Sequence, residues 1–153
     1  MMESFVLLRN TLLAVHFLAA TAWVGGMFYA LMVLRPSLGL LDANPRIQVH
    51  LQTLRRFFLV VWHAMPLMLL TGWAMIFLAW GGFAHLPLSI NLMQAGGILM
   101  ALIFLYAFFD PYRRLRRAIR PTPEMVDGIR SLILANLVIG VLVIVAGSLG
   151  HTW

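Results

Sequence analysis

Residues 57–109 read FFLVVWHAMPLMLLTGWAMIFLAWGGFAHLPLSINLMQAGGILMALIFLYAFF, a stretch of 53 residues without Asp, Glu, Lys or Arg. A helix that rises 1.5 Å per residue crosses about 30 Å of hydrocarbon in about 20 residues, so this stretch is too long for one membrane span. It is interrupted at residues 81–87 by GGFAHLP, a segment whose glycines and proline predict a turn. Residues 57–109 therefore predict two membrane-spanning helices joined by a short connection.

Two more uncharged apolar stretches lie on either side of this pair. Residues 10–34 and 131–153 are each long enough for one further span. The sequence predicts an all-α integral membrane four-helix bundle that forms one domain over residues 1–153. The predicted helices cover residues of about 3–34, 50–80, 89–118 and 124–152. Four short helices are too few to enclose a pore, so we also predict a homodimer or larger assembly.

Composition agrees with a membrane protein. The chain is 62% hydrophobic and 10% charged, and a soluble domain of 153 residues could not bury that much apolar surface. The chain contains no cysteine, which excludes disulfides, thiolate metal sites and cysteine nucleophiles. It also contains no lysine, which excludes Schiff-base chemistry.

The arginines set the predicted orientation. Ten of the 11 basic residues lie in the two connections at one end of the bundle, and only Arg9 lies at the other end. This bias predicts that both arginine-rich connections are cytoplasmic and that both termini lie outside, in the periplasm. The location that follows is the bacterial inner membrane, with lipid as the surrounding phase. The net charge of +6 therefore sets orientation and does not indicate nucleic-acid binding.

Candidate ligands fall in one layer near the outer face. Counted from the cytoplasmic arginines at 1.5 Å per residue, His16 and Met75 lie about 28 Å up, Met93 about 30 Å and His151 about 31 Å. Imidazole and thioether are ligands that Cu(I) selects when thiolates are absent, so these four residues predict a copper site. His16 and His151 would alternatively serve as axial ligands of haem b. His63, only about 10 Å up, belongs to a different layer.

Other interpretations of these residues stay open. His16 could simply hydrogen-bond a neighbouring backbone or threonine group, His151 could be a solvated helix end, and the methionines could only fill gaps between helices. A role of His16 in proton transfer is a further alternative. At the cytoplasmic end, guanidinium groups could bind lipid headgroups, porphyrin propionates or phosphates, or serve orientation alone. The arginines concerned are Arg35, Arg55, Arg56, Arg113, Arg114 and Arg130.

Several motifs resemble the copper-resistance D (CopD-like) membrane family. They are HFLA at 16–19, WVGGMF at 23–28, LRP at 34–36, RRFF at 55–58, PYRRLRR at 111–117, IR at 129–130 and NL at 136–137 followed by Gly140. The resemblance covers nearly the whole chain in a short four-helix form. It implies copper uptake or tolerance at the inner membrane, with periplasmic copper proteins as partners.

A weaker similarity exists to the HemJ-type protoporphyrinogen oxidases. These are small four-helix proteins with a histidine in the first helix, and they bind haem b. Pro121 and Thr122, together with Met125, are similar to one of their motifs, but their lysine near the histidine has no equivalent here. The similarity implies a haem b protein with His16 as axial ligand, either an electron carrier or a haem-dependent oxidoreductase. Apart from this similarity, the residues do not indicate an enzyme.

Overall fold

The computed structural model describes residues 2–149, which form four long helices joined by short connections. Each helix is long and apolar enough to cross a membrane. The helices are α1 (Met2–Leu40), α2 (Ala43–Trp80), α3 (Leu88–Arg117) and α4 (Pro123–Leu149). The predicted all-α fold with four spans is confirmed, whereas the predicted extension of the fourth helix to residue 152 lies outside the described residues.

The predicted end of the first helix at Leu34 is wrong, because α1 continues through Pro36 to Leu40. A proline in a helix lacks an N–H donor and normally interrupts the hydrogen-bond ladder. Here a π-helical turn over Tyr29–Leu34 comes directly before the proline. Such a local change of hydrogen-bond register can satisfy the carbonyl groups that proline leaves unpaired. A second proline, Pro111, lies in a π-helical turn over Phe108–Tyr112, and α3 likewise continues beyond it to Arg117.

The C-terminal end of α2 follows an ordinary capping rule, whereas Asp42 at its N-cap makes no side-chain capping bond. The helix begins at Ala43, several residues before the predicted start near 50, since Pro45 in its first turn needs no hydrogen-bond donor. It ends where Gly81 adopts a left-handed conformation with φ of 68° and donates its N–H to the Phe77 carbonyl at 3.1 Å. The turn predicted at residues 81–87 then leads into α3.

The four helices pack as two antiparallel hairpins. α1 lies along α2, and α3 lies along α4, whereas contacts between the two hairpins are fewer. α3 and α4 approach closely at Gly96, where a Cβ atom would overlap the Cγ2 methyl of Val143. Small residues at such contacts are how helices associate when lipid supplies no hydrophobic driving force.

The two ends of the bundle differ in their interior. We call the end with the connections near 40 and 120 the arginine end, and the end with the 81–87 connection the turn end. In the arginine-end half, an aromatic cluster joins the hairpins. Its members are Trp23, Phe58, Trp62, Phe104, Phe108 and Tyr112. Ring centroids lie 4.5 Å apart for Phe58 and Tyr112 and 6.1 Å apart for Trp23 and Phe104, so this half of the interior is filled by side chains.

Candidate functional site

The turn-end half contains a cavity of about 520 Å³ between the two hairpins. All four helices contribute to its wall, which is almost entirely apolar. Its lining includes His16 from α1, Met75 from α2 and Met93 from α3. The structure therefore brings three of the four predicted ligands to one cavity. The fourth, His151, lies outside the described residues.

His16 is held by α2. Its Nδ1 lies 2.9 Å from the Met68 carbonyl oxygen and 3.1 Å from Thr71 Oγ1. The Thr71 hydroxyl donates to the Leu67 carbonyl at 2.6 Å, so its oxygen is available to accept. A carbonyl oxygen can only accept, and therefore Nδ1 of His16 carries the proton. In the neutral imidazole the other nitrogen, Nε2, is then left with a free lone pair.

Gly72 makes this placement of the imidazole possible. A Cβ atom at residue 72 would lie 3.2 Å from His16 Cε1 and 3.6 Å from Nδ1, so the ring rests directly against the α2 backbone. Of the interpretations left open for His16, the hydrogen bond to a backbone carbonyl and a threonine is present. It does not exclude a ligand role, because histidine ligands commonly donate their second nitrogen to a backbone oxygen.

The cavity wall holds more thioethers than the sequence indicated. Besides Met75 and Met93, it includes Met68 on α2 and Met100 on α3. Each added methionine lies seven residues from a predicted one on the same helix, a spacing of two turns that places both on one face. The seven-residue spacing is visible in the sequence and predicts a shared helix face, but counting depth alone did not consider helix faces.

Glycines of α4 accommodate the two methionines of α3. A Cβ at Gly147 would lie 2.7 Å from the sulfur of Met93, and a Cβ at Gly140 would lie 3.1 Å from Cε of Met100. The two thioethers thus occupy space that larger residues on α4 would fill. Sequence reasoning also missed Gln94, which lines the same cavity and whose buried Oε1 has no hydrogen-bond partner among the described residues.

The other described histidines, His50, His63 and His85, do not line the cavity. His63 is exposed on the outer surface of α2, where its Nδ1 donates to the Leu59 carbonyl at 2.8 Å. His50 lies at the arginine end, within electrostatic range of Arg35, Arg46 and Arg130. Between residues 2 and 149, no three side chains of the His, Cys, Asp or Glu type come together as a metal-binding group. A metal in the cavity would therefore depend on one imidazole, the thioethers and neutral oxygen atoms such as Gln94 Oε1.

The predicted anion-binding arginines lie at the arginine end, and none of them lines the cavity. Arg130 pairs with Asp127 at 2.6 Å and Arg114 with Asp110 at 2.7 Å. The guanidinium of Arg113 lies over the Phe109 ring at 4.8 Å from its centroid. The other three, Arg35, Arg55 and Arg56, are exposed. The aromatic cluster lies between these arginines and His16.

Comparison with known proteins identifies the family. Residues 51–149, nearly two thirds of the chain, match the family model described as copper resistance protein D. The match includes most of α2 and all of α3 and of the described α4, and it confirms the resemblance drawn from the motifs. It begins after α1, so His16 lies outside the matched residues. No curated protein and no solved structure matches the chain.

Proposed function

The chain belongs to the copper resistance protein D family, and from that premise we propose that it handles copper in uptake or tolerance at the bacterial inner membrane. The proposed site is the cavity in the turn-end half of the bundle. Its proposed ligands are His16, Met75 and Met93, with His151 as a fourth. Periplasmic copper proteins would be the partners that deliver or receive the ion.

The main support for the proposal is which nitrogen of His16 is protonated and which is free. Its Nδ1–H is committed to the Met68 carbonyl, so its free lone pair is on Nε2, beside a cavity lined by four methionines. A hydrogen bond of this kind fixes the tautomer and the ring orientation of a histidine ligand and raises its basicity. The side chain is thus prepared for a ligand before any ligand arrives.

The donor set favours Cu(I) over Cu(II). Thioether sulfur is a soft ligand that selects Cu(I), whereas Cu(II) prefers nitrogen and oxygen donors in a tetragonal arrangement. Among the described residues, the cavity offers one imidazole, the four sulfurs of Met68, Met75, Met93 and Met100, the amide oxygen of Gln94 and no carboxylate. Met68 and Met100 therefore join the proposed ligands, because flexible methionine side chains can turn their sulfur toward an ion.

Orientation determines which compartment the cavity serves. With the arginine end in the cytoplasm, as the arginine bias indicates, the cavity lies in the periplasmic half of the bilayer. The packed aromatic cluster separates it from the cytoplasmic face. We therefore propose that copper enters and leaves this site from the periplasmic side in the conformation described.

Cu(I) titration of the purified protein tests the copper proposal. Cu(I) is added without oxygen in competition with a chelator of known affinity. We expect one bound ion per chain, and a loss of affinity of at least about tenfold in His16→Ala and smaller losses in Met75→Leu and Met93→Leu. His63→Ala is the matched histidine control, and Met65→Leu, buried but outside the cavity, is the matched methionine control.

The test compares the Cu(I) affinities of the cavity variants with those of the control variants. Equal affinity in His16→Ala and His63→Ala would refute His16 as a ligand. Equal affinity in Met75→Leu, Met93→Leu and Met65→Leu would refute the thioether site. Thermal unfolding of each variant in the same detergent shows whether an affinity change follows from loss of the fold.

A second candidate, binding of haem b, rests on the size of the cavity. About 520 Å³ is far more space than one copper ion occupies and lies within the usual range of organic-ligand pockets, about 300–1,000 Å³. The free Nε2 of His16 would serve as the axial ligand, and the apolar wall suits a porphyrin. Protein expressed with haem supply would then show a Soret band that His16→Ala removes and His63→Ala retains. A colourless protein that binds copper stoichiometrically would refute this candidate.

A further inference from the structure

One face of α3 carries a stripe of exposed side chains that ends at an arginine. Leu102, Tyr106 and Phe109 are 58%, 57% and 48% exposed, and Arg113 follows them. The spacings of four, three and four residues place all four on one side of the helix. In a membrane-spanning helix this side faces lipid, and Arg113 lies where α3 leaves the uncharged stretch.

Arg113 is held at the end of this stripe. Its guanidinium lies over the Phe109 ring with Cζ 4.8 Å from the ring centroid, a cation–π arrangement. This contact holds the guanidinium beside Phe109, and no described residue accepts a hydrogen bond from it, so the N–H groups at its edges are available. Those edges match the geometry of a phosphate, which arginine binds with two parallel hydrogen bonds.

Charge at the arginine end complements an anionic ligand. Ten of the 11 arginines lie there, against four acidic residues, Asp42, Asp110, Glu124 and Asp127. Two of these carboxylates are already paired with Arg114 and Arg130. Neither pair involves Arg113, so its charge is not neutralised by a carboxylate among the described residues.

We propose that this stripe is a binding site for an anionic phospholipid of the surrounding leaflet. The lipid phosphate binds the edge of the Arg113 guanidinium, and one acyl chain lies along Phe109, Tyr106 and Leu102. Free phosphate could use only Arg113, whereas the stripe as a whole requires a molecule with a chain.

Trp62 provides a reporter for this site, because its ring lies 6.2 Å from Phe109. The full chain is reconstituted in phosphatidylcholine vesicles with a minor fraction of phosphatidylglycerol, and either lipid carries bromine on its acyl chains to quench tryptophan fluorescence. The quenching assigned to Trp62 is the part lost in Trp62→Phe. We expect brominated phosphatidylglycerol to quench Trp62 more strongly than brominated phosphatidylcholine at the same fraction.

An Arg113 variant and a control variant at the same end test the proposed lipid site. Arg113→Gln is expected to lower the preference for phosphatidylglycerol about fivefold, the effect of one basic residue near an anionic surface. Arg120→Gln, at the same end but away from the stripe, should keep the preference. Equal quenching by both lipids in the unaltered chain, or equal loss in both variants, would overturn the proposal. Loss of the preference when millimolar inorganic phosphate is added would also overturn it, since the site would then recognise the free anion.

Discussion

Two neighbouring glycines of α3 allow a sharp test of helix packing. A Cβ at residue 96 would overlap Val143 Cγ2 on α4, whereas a Cβ at residue 97 would lie 3.7 Å from Leu69 Cδ2 and 3.8 Å from Met68 Cε, ordinary contact distances. Val143 is β-branched and strongly prefers one rotamer in a helix, so it cannot rotate away cheaply. Gly96→Ala must therefore push the two helices apart.

The magnitude of the difference follows from two opposing effects. Overpacking typically costs about 1–3 kcal/mol, and replacing glycine by alanine within a helix gains up to about 1 kcal/mol. We expect Gly96→Ala to lower the free energy of unfolding by about 1–2 kcal/mol. Gly97→Ala is expected to leave it unchanged or raise it by up to about 1 kcal/mol.

Reversible unfolding in mixed micelles, followed by tryptophan fluorescence as the denaturing detergent fraction rises, measures both variants. The double variant Gly96→Ala with Val143→Ala removes the overlapping methyl and should recover stability relative to Val143→Ala alone. If Gly96→Ala proved as stable as Gly97→Ala, the close approach of α3 and α4 at this position would be refuted.

Three further predictions concern the cavity and the orientation. Thr71→Val keeps the side-chain volume but removes one of the two hydrogen-bond acceptors of His16. Because the Met68 carbonyl remains as an acceptor, Cu(I) affinity in the competition titration should fall by about tenfold or less. Asn136→Leu removes a bond to the Met100 carbonyl at 3.2 Å and also a buried Oδ1 without a partner, so the free energy of unfolding should change by less than about 1 kcal/mol. Because the chain has no cysteine, the variants Ser148→Cys and Gly128→Cys can each be labelled with a membrane-impermeant thiol reagent. Ser148→Cys should react only from the periplasmic side, and Gly128→Cys only from the cytoplasmic side. Labelling of both variants from the same side would contradict the orientation.

The number of helices was predictable because, in a membrane-spanning helix, the residues that face lipid are as apolar as the residues buried in the protein. Every span must then be a long uncharged stretch, and residues 57–109 alone show two of them. For the same reason the sequence did not show which side of a helix faces inward. His16 turns toward the cavity and His63 toward lipid, although both lie in similarly apolar sequence.

Depth was easier to predict than helix face. Counting residues placed His16, Met75 and Met93 in one layer, and all three line the cavity. The same counting gave no reason to include Met100, which lies about 20 Å up. Gln94 falls in the predicted layer by depth, but counting did not show that it faces the cavity. The continuation of α1 through Pro36 was also missed, since a π-helical turn has no simple residue signature.

The arrangement of the two hairpins also has a mechanical consequence. A small separation of the hairpins at the turn end would widen the space beside His16 without breaking any ring contact of the aromatic cluster. The same displacement at the arginine end would pull apart rings such as Phe58 and Tyr112, which lie 4.5 Å apart. The ring contacts that join the hairpins therefore lie in one half of the bundle, and the cavity lies in the other half, where the short 81–87 connection joins α2 to α3.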